Sequence, residues 1–541
     1  MDIYNGETAV EGLAIGKIKL LFTDKVDIER QEVSDPDVEW TRLLVAKEKV
    51  EHDLTELEKK AEVEASEDEA AIFSVHNLML NDQDYLESIE NHIRCGKSDA
   101  EYAVVTTRDE FVQLFSQMDD DYMKERAIDI EDISNQLIAV LRGDDKQRYH
   151  LSEPSIIVAE DLAPSETMWL NKENILGIVT VRGSVNSHTA ILARSMDLPA
   201  LVRVDMPLTQ ELDGQLAIVD TQDSHIVINP DIETLDICRQ RLQELEDNRS
   251  SLAALKGKAN VTLDGRKIDI YANISEPADL DMVIENDAGG IGLFRSEFLY
   301  LCRHSLPSED EQFTAYKTVA ERMDGKEVII RTLDIGADKQ ADFLNLEQED
   351  NPALGYRAIR ICLDRPEIFK PQVRAILRAS AFGNVAIMYP MIISVDEVRR
   401  IKDFVSRIKV ELDEEGLSYS DIQQGIMIET PAAAMISDLL AQEVDFFSIG
   451  TNDLTQYTLA VDRQNQKLGK LFDCRHDAIL RLIELVVKNG HDAGIRVGIC
   501  GEMGADLNMT ETFLRLGVDE LSVASPSILK VRQKVRELDL S

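Results

Sequence analysis

Phe446-Phe447-Ser448-Ile449-Gly450-Thr451-Asn452-Asp453 is an apolar run too short for a helix, closed by a glycine and by side chains that hydrogen-bond or ligate. The same pattern recurs in Gly290-Ile291-Gly292-Leu293-Phe294-Arg295, Ile329-Ile330-Arg331-Thr332, Gly425-Ile426-Met427-Ile428-Glu429 and Gly498-Ile499-Cys500-Gly501-Glu502. Apolar runs near 268–272, 290–294, 328–333, 385–390, 425–429, 446–449, 497–500 and 521–523 alternate with helix-period sequence. Parallel strands covered on both faces read as continuous apolar runs, and eight of them alternating with helices make a (β/α)8 TIM-type barrel, expected here over 258–541. Such barrels place their chemistry at the C-terminal ends of the strands. Arg295 follows the second run, Arg331 lies in the third, Glu429 closes the fifth, Asn452 and Asp453 follow the sixth, and Cys500 closes the seventh.

Upstream of the barrel, 230–257 is a charged helical stretch with Leu235, Leu242, Leu245 and Leu252 spaced along it, which suits a linker. Before it, Ile156-Ile157-Val158-Ala159, Ile178-Val179-Thr180-Val181, Ala200-Leu201-Val202 and Leu216-Ala217-Ile218-Val219 read as strands separated by turns. Residues 4–22 read as one further strand, so 1–22 plus 150–229 form a small α/β domain. Between them, helix-period sequence starts at Asp35-Pro36 and continues over about 68–80, 98–117 and 123–142, an inserted helical subdomain over 23–149. The chain is therefore expected to be multidomain α/β, as 541 residues exceed what one core supports.

The composition, 44% hydrophobic and 29% charged, lets each domain bury a core. A net charge of −43 argues against nucleic acid and anionic membranes, which need a positive face, and favours a basic protein partner. Cysteines at 95, 238, 302, 362, 474 and 500 lack disulfide-framework spacing, and no apolar stretch of about eighteen residues occurs, so a cytoplasmic protein without membrane insertion is expected.

His188, in Ser187-His188-Thr189-Ala190-Ile191-Leu192, follows a Gly183-Ser184 turn and begins an apolar helix face. Near a helix N-terminus, backbone N–H groups favour a bound phosphate. Taken alone it is one of nine histidines, most of which fill surface or core. Arg295, Arg331, Arg357 and Arg463 could each be salt-bridged surface residues; Arg295, Arg331 and Arg463 follow or end strand-like runs or lie in short loops, where burying guanidiniums would need an anionic partner carrying phosphate and carboxylate. Glu429 and Asp453 are either loop carboxylates or two hard oxygen ligands of the kind that hold Mg2+. Cys500 is either a buried small hydrophobe or a proton donor to a carbon acid. A nucleophilic histidine beside a cation-lined anion site suggests phosphoryl transfer through histidine.

Longer strings carry a resemblance: Asp161-Leu162-Ala163-Pro164-Ser165-Glu166-Thr167, Ser187-His188-Thr189-Ala190, Gly290 through Leu299, Arg331 through Lys339, Asn351 through Arg360 and Phe446 through Arg463. Together they resemble the enzyme I family of the bacterial sugar phosphotransferase system, the phosphoenolpyruvate (PEP)-protein phosphotransferases. The resemblance implies that PEP binds in the barrel with Mg2+ on Glu429 and Asp453, assisted by Asn452. Arg295, Arg331 and Arg463 would hold the phosphate, with Arg357 in the same cationic ring. His188, hydrogen-bonded by Thr167, would take the phosphoryl group, and Cys500 would protonate the departing enolate. It further implies a swivelling phosphohistidine domain, a homodimer through the barrel, and transfer to the carrier protein HPr docked on the helical subdomain. There Glu67, Asp68, Glu69, Asp82 and Asp84 flank His76; a solvated acidic face is the plainer reading of those residues. Pyruvate phosphate dikinase and PEP synthase are similar in histidine and barrel but carry a large ATP-binding domain, for which the helical block lacks length and a glycine-rich phosphate loop.

Two departures stand out. Arg182-Gly183-Ser184-Val185-Asn186 replaces the family's usual glycine pair, and Ser541 comes soon after the eighth apolar run, leaving little chain for a final helix. Two further readings remain: a regulatory-branch phosphotransferase with a specialised HPr-like acceptor, whose usual sensory domain is absent from the sequence, and a scaffold that kept the fold without turnover. The full set of nucleophile, arginines, carboxylates and thiol speaks against the latter.

Overall fold

The computed structural model describes residues 1–21, 28–64, 67–116, 121–143, 151–170, 174–185, 187–196, 198–301, 303, 305–336, 342–344, 346–347 and 349–541; inside its helices the side chains of 62–64, 67–71, 116, 121–125, 128, 164, 188, 191, 195, 342 and 466 are outside that description. The chain forms two compact units, Met1–Glu246 and Asp247–Ser541.

In the first unit the predicted N-terminal strand is three: β1 (Asp2–Asn5), β2 (Glu7–Val10) and β3 (Leu13–Leu21). The breaks fall at Gly6 and at Gly12, whose neighbours Val204 and Pro199 would collide with a Cβ. Helices α1 (Pro36–Glu64), α2 (Glu67–Leu80), α3 (Gln83–Arg94), α4 (Ala100–Ser116) and α5 (Asp121–Arg142) follow. The sequence reading places no helix at α3, yet Tyr85, Ile89 and Ile93 are wholly buried on one face of it, four residues apart as a helix stripe requires. Those residues join Leu43, Leu54, Leu57, Phe73 and Leu137 in one helical core, with Trp40 and Trp169 packed against it.

The α/β part continues with β4 (Ser155–Ala159), α6 (Pro164–Trp169), β5 (Ile175–Thr180), α7 (His188–Ser195), β6 (Ala200–Val202), β7 (Leu216–Asp220) and β8 (His225–Ile228). Its sheet has the order β1-β8-β7-β3-β4-β5-β6-β2, with β3, β4, β5 and β6 parallel. Separate apolar clusters cover its two faces, which is why β4 is buried at every position. Helix α8 (Ile232–Ala253) follows; its early turns are less free than a linker would be, because Cys238, Leu235 and Leu242 pack on Leu13, Ile218 and Val227, and Arg241 pairs with Asp220 at 2.5 Å.

The second unit is a closed parallel barrel of β9 (Asp269–Ile274), β10 (Ile291–Arg295), β11 (Val328–Arg331), β12 (Val385–Tyr389), β13 (Gln424–Ile428), β14 (Phe446–Gly450), β15 (Arg496–Cys500) and β16 (Glu520–Ala524). Each coincides within about two residues with an apolar run read from the sequence. Leu293, Ile329, Ala386, Met388, Met427, Phe446 and Cys500 fill the interior, so the barrel is a packed core rather than a pore.

The expectation of a barrel short of a final helix is corrected. Ser541 leaves room for Ile528–Glu537, a helix that buries Ile528, Leu529, Val531, Arg532 and Val535. Arg532 donates to Asn260 Oδ1 at 2.7 Å, Leu255 O at 2.9 Å and Asp287 Oδ2 at 2.6 Å, fastening this helix to the segment after α8 and to the entry of β10. Among the described residues no helix is long and apolar enough to cross a membrane.

Candidate active site

The rim of the barrel gathers most of the residues singled out by sequence. Arg295 and Arg331 are ladder partners at the ends of β10 and β11. Arg331 is 7% exposed; its guanidinium bonds Glu297 Oε1 and lies 2.9 Å from Asp334 Oδ2. Asp334 Oδ1 accepts from Arg357 Nη2 at 2.8 Å, so one carboxylate bridges two buried guanidiniums. Arg357 also donates to the Tyr457 hydroxyl at 3.2 Å and stands 3.9 Å from Asp453 Oδ1. Burial works against both cations, but Asp334 and Glu297 around Arg331, and Asp334 and Asp453 around Arg357, outweigh it and hold both pKa values above the ordinary arginine value. Arg463 is more exposed, with Nη1 4.0 Å from Asp453 Oδ2, and Arg295 Nη2 donates to Ser275 Oγ at 2.5 Å.

Backbone strain helps to shape this rim. Ala358, beside Arg357, has φ 53° and ψ −127°, and Met391 has φ 58°; side-chain-bearing residues persist in such conformations only where their surroundings enforce them. The Met391 N–H donates to Glu429 Oε1 at 2.6 Å. Glu429 is 1% exposed and pushed up to about 8 by burial and by the neighbouring charges of Asp453 and Asp334, against the pull of Arg331 and Arg357. Asn452 and Asp453 open the helix Thr451–Leu459 directly after β14, and Asn452 Oδ1 and Asp453 Oδ1 are buried without a hydrogen-bond partner among the described residues.

These observations fit a divalent cation. Two carboxylates from adjacent strands repel each other in a buried site, with acceptor oxygens left over, and oxygen donors of this kind suit Mg2+. A separate cluster of potential ligands, Asp220, Asp223 and His225, lies at the β7–β8 turn of the first unit and includes none of the residues predicted to hold metal; Asp220 there is the partner of Arg241. On β15, Cys500 is 2% exposed and donates to Ile449 O at 3.6 Å; burial pushes its thiol up to about 12, with Ser448 and Arg331 acting the other way.

Sequence reasoning missed Glu297, Asp334 and Tyr457, the groups that aim the arginines. Asp334 was legible in principle, since Arg331-Thr332-Leu333-Asp334 puts an acid three residues after the cation.

In the first unit His188 is the first residue of α7, capped by Ser187, whose Oγ accepts from Ala190 N at 3.4 Å; the His188 side chain lies outside the described residues. Thr189 Oγ1 donates to Asp161 Oδ1 at 3.2 Å and Leu162 O at 3.4 Å, and Thr167 is buried on α6. In the departing stretch, Gly183 has φ 90°, and its carbonyl accepts from Arg203 Nε at 3.0 Å. Arg182 turns outward to Glu160 at 3.0 Å.

The expected acidic partner surface needs correction at His76. It is 0% exposed, held by Asp129 Oδ1 at 3.0 Å, because Asp129 and Asp132, far away in sequence, face it from α5. Asp82 is exposed but caps α3, accepting from Tyr85 N at 3.0 Å; Asp84 is exposed; the side chains of Glu67, Asp68 and Glu69 lie outside the described residues.

The family description "PEP-utilising enzyme, PEP-binding domain" matches residues 249–540, "PEP-utilising enzyme, N-terminal" matches 5–126, and "PEP-utilising enzyme, mobile domain" matches 151–223. The chain is 43% identical to the phosphoenolpyruvate-protein phosphotransferase of Priestia megaterium, over 98% of this chain and 93% of that one. It is 42% identical to those of Staphylococcus carnosus and Haemophilus influenzae, in each case over 99% of this chain and 94% of the relative. With family matches in both units and relatives that align nearly end to end, the chain belongs to the phosphoenolpyruvate-protein phosphotransferase family of PEP-utilising enzymes.

Proposed function

We propose that this chain is a Mg2+-dependent PEP-protein phosphotransferase that moves the phosphoryl group of PEP to His188 and then to a histidine of HPr, the first step of sugar uptake by the phosphotransferase system. The observation that carries the reading is the barrel rim: Arg331 and Arg357 buried around Asp334, Arg295 paired in register with Arg331, Asp453 between Arg357 and Arg463, and buried Asn452 and Asp453 oxygens that accept no hydrogen bond among the described residues. A small dianion or trianion with its metal satisfies those groups together; no neutral ligand does.

In this reading the arginines hold the phosphate, and Glu429 and Asp453, with Asn452, hold Mg2+. Bound there, the cation would withdraw charge from the phosphate and enolate oxygens. An imidazole nitrogen of His188 forms a bond to phosphorus as the bridging P–O bond breaks and the electron pair leaves on the enolate oxygen. Cys500 gives its proton to the methylene carbon, and pyruvate results. Thr167 orients the imidazole. The chain's work is positioning and charge stabilisation rather than covalent chemistry at phosphorus. Because one imidazole serves a barrel-bound substrate and a protein acceptor, the small α/β domain that carries it swings between them. HPr docks on the helical subdomain, where Asp82 and Asp84 are exposed acids, and exposed Met435 and Leu439 on the barrel would be covered in a homodimer.

Incubation with labelled PEP and Mg2+, comparing wild type with His188→Ala, tests this. Acid-labile, base-stable label on wild type alone, passing to added HPr, is the expected result. Label on neither protein refutes the activity, and label retained in the presence of HPr refutes that acceptor.

A further inference from the structure

Among the buried groups that phosphoryl transfer leaves unused, the carboxyl of Asp132 on α5 stands where the helical bundle meets α6. It is 4% exposed. Its Oδ1 accepts from Ser165 Oγ at 2.7 Å and from Gln136 Nε2 at 3.2 Å; its Oδ2 accepts from Ser165 N at 3.5 Å and faces His76 Nδ1 at 3.7 Å. His76 is braced from behind by Asp129 at 3.0 Å, itself held by Arg126 at 2.8 Å. A second tie runs parallel, because Lys60 Nζ of α1 donates to Met168 O at 2.6 Å, while the Met168 side chain is part of the helical core. By these bonds α6 belongs to the bundle. On its other side, the turn that leads into α6 is bonded to α7 through Thr189, which donates to Asp161 Oδ1 and Leu162 O.

We propose that Asp132 is a positioning residue for the nucleophile: through Ser165 it fixes α6 and the Asp161–Leu162 turn against the helical bundle, and thereby sets where the N-terminus of α7, with His188, stands. This rests on His188 being the nucleophile, as proposed above. A buried carboxylate is costly unless its acceptors are filled, and here Gln136 of α5 and Ser165 of α6 supply the donors, with the His76 ring of α2 facing Oδ2. Its partners Ser165, Gln136 and His76 all belong to the first unit and none is a residue proposed to bind PEP or metal, so its effect falls on the placement of the imidazole. Misplacement of a reacting group by about 1 Å can lower a rate by about 10²-fold.

Full-length Ser165→Ala, Ser165→Thr and Ser165→Cys test the link. In Ser165→Ala, labelling of His188 at saturating PEP is expected to slow about tenfold with KM for PEP within about twofold of wild type, the signature of an interaction that does not contribute to ground-state binding. The imidazole 15N resonances of His188, identified by their absence in His188→Ala, shift in the same variant without PEP or acceptor present. Threonine, which keeps the hydroxyl, restores both readouts; cysteine, similar in shape but a weak donor, reproduces the alanine result and decides the matter should alanine fail to fold. Wild-type rate with unshifted resonances, or equal loss in the alanine and threonine variants, overturns the proposal. Should PEP not label wild-type His188, the phosphotransfer reading fails, while the resonance comparison still decides the positioning role.

Discussion

Replacing Cys500 by serine exchanges one heavy atom and keeps the wall of the barrel mouth, so it isolates the thiol. Burial pushes that thiol up to about 12. At pH 7 an acid of this strength is ionised in roughly one molecule in 10⁵, against a few per cent for an ordinary thiol. The side chain thus keeps its proton throughout the working range and yields it only to a base as strong as an enolate carbon. A positioned general acid contributes about 10²–10⁴-fold, and a serine hydroxyl, a much weaker acid, forfeits most of it. Conversion of PEP to pyruvate by Cys500→Ser should fall about 10²-fold or more at saturating PEP, with KM changed less than about threefold. Exchange of the phosphoryl group between His188 and its protein acceptor involves no carbon acid and should be retained. Rapid-quench measurement of each half-reaction separates the two. Alkylation provides an independent check: at pH 8 the buried Cys500 thiol should react far more slowly than exposed Cys95. Equal loss in both half-reactions, or alkylation at the rate of Cys95, would refute the role.

Asp334→Asn removes the charge shared by Arg331 and Arg357; two charge-assisted bonds become at best one neutral bond each, and PEP-dependent labelling should drop about 10–100-fold with circular dichroism unchanged. Glu520, 3% exposed inside the barrel and pushed up to about 8 by burial, tests pH dependence. Its raised value means that its contribution to stability is whole below about pH 4.3 and is lost as pH rises toward 8, at up to about 1.4 kcal/mol per pH unit. Relative to wild type, Glu520→Gln should gain stability by calorimetry as pH rises from about 5 to about 9, because the amide carries no buried charge, and parallel stability curves would contradict the assignment. Arg532→Ala removes the 2.6 Å partner of Asp287, which keeps the Gly257 N–H at 2.7 Å, and the bonds to Asn260 and Leu255; it should destabilise the barrel by roughly 1–3 kcal/mol, a fall in calorimetric Tm of roughly 2–10 °C.

The barrel was legible because parallel strands covered on both faces have no alternation to hide in: Val328–Arg331 and Phe446–Gly450 are apolar runs with functional residues at their ends. The first unit was less so. A nine-residue strand, β3, and its two short forerunners look alike until Gly6 and Gly12 are seen against Val204 and Pro199, contacts that no local pattern encodes. His76 reads as a surface histidine because the acids that bury it lie more than fifty positions downstream. At the barrel rim, strand ends nominated the arginines and Cys500, whereas the carboxylates that aim the arginines are a matter of folded geometry. Glu520 escaped notice because an acid inside a strand looks like an exposed edge until barrel closure buries it.

Both tryptophans, Trp40 and Trp169, lean on the helical core of the first unit, and the barrel carries none. Intrinsic indole emission is therefore blind to whatever happens at the arginine rim and responds only to the half of the molecule that bears His188. A quench or spectral shift on adding PEP would be a message that had crossed from one unit to the other, read without attaching any dye.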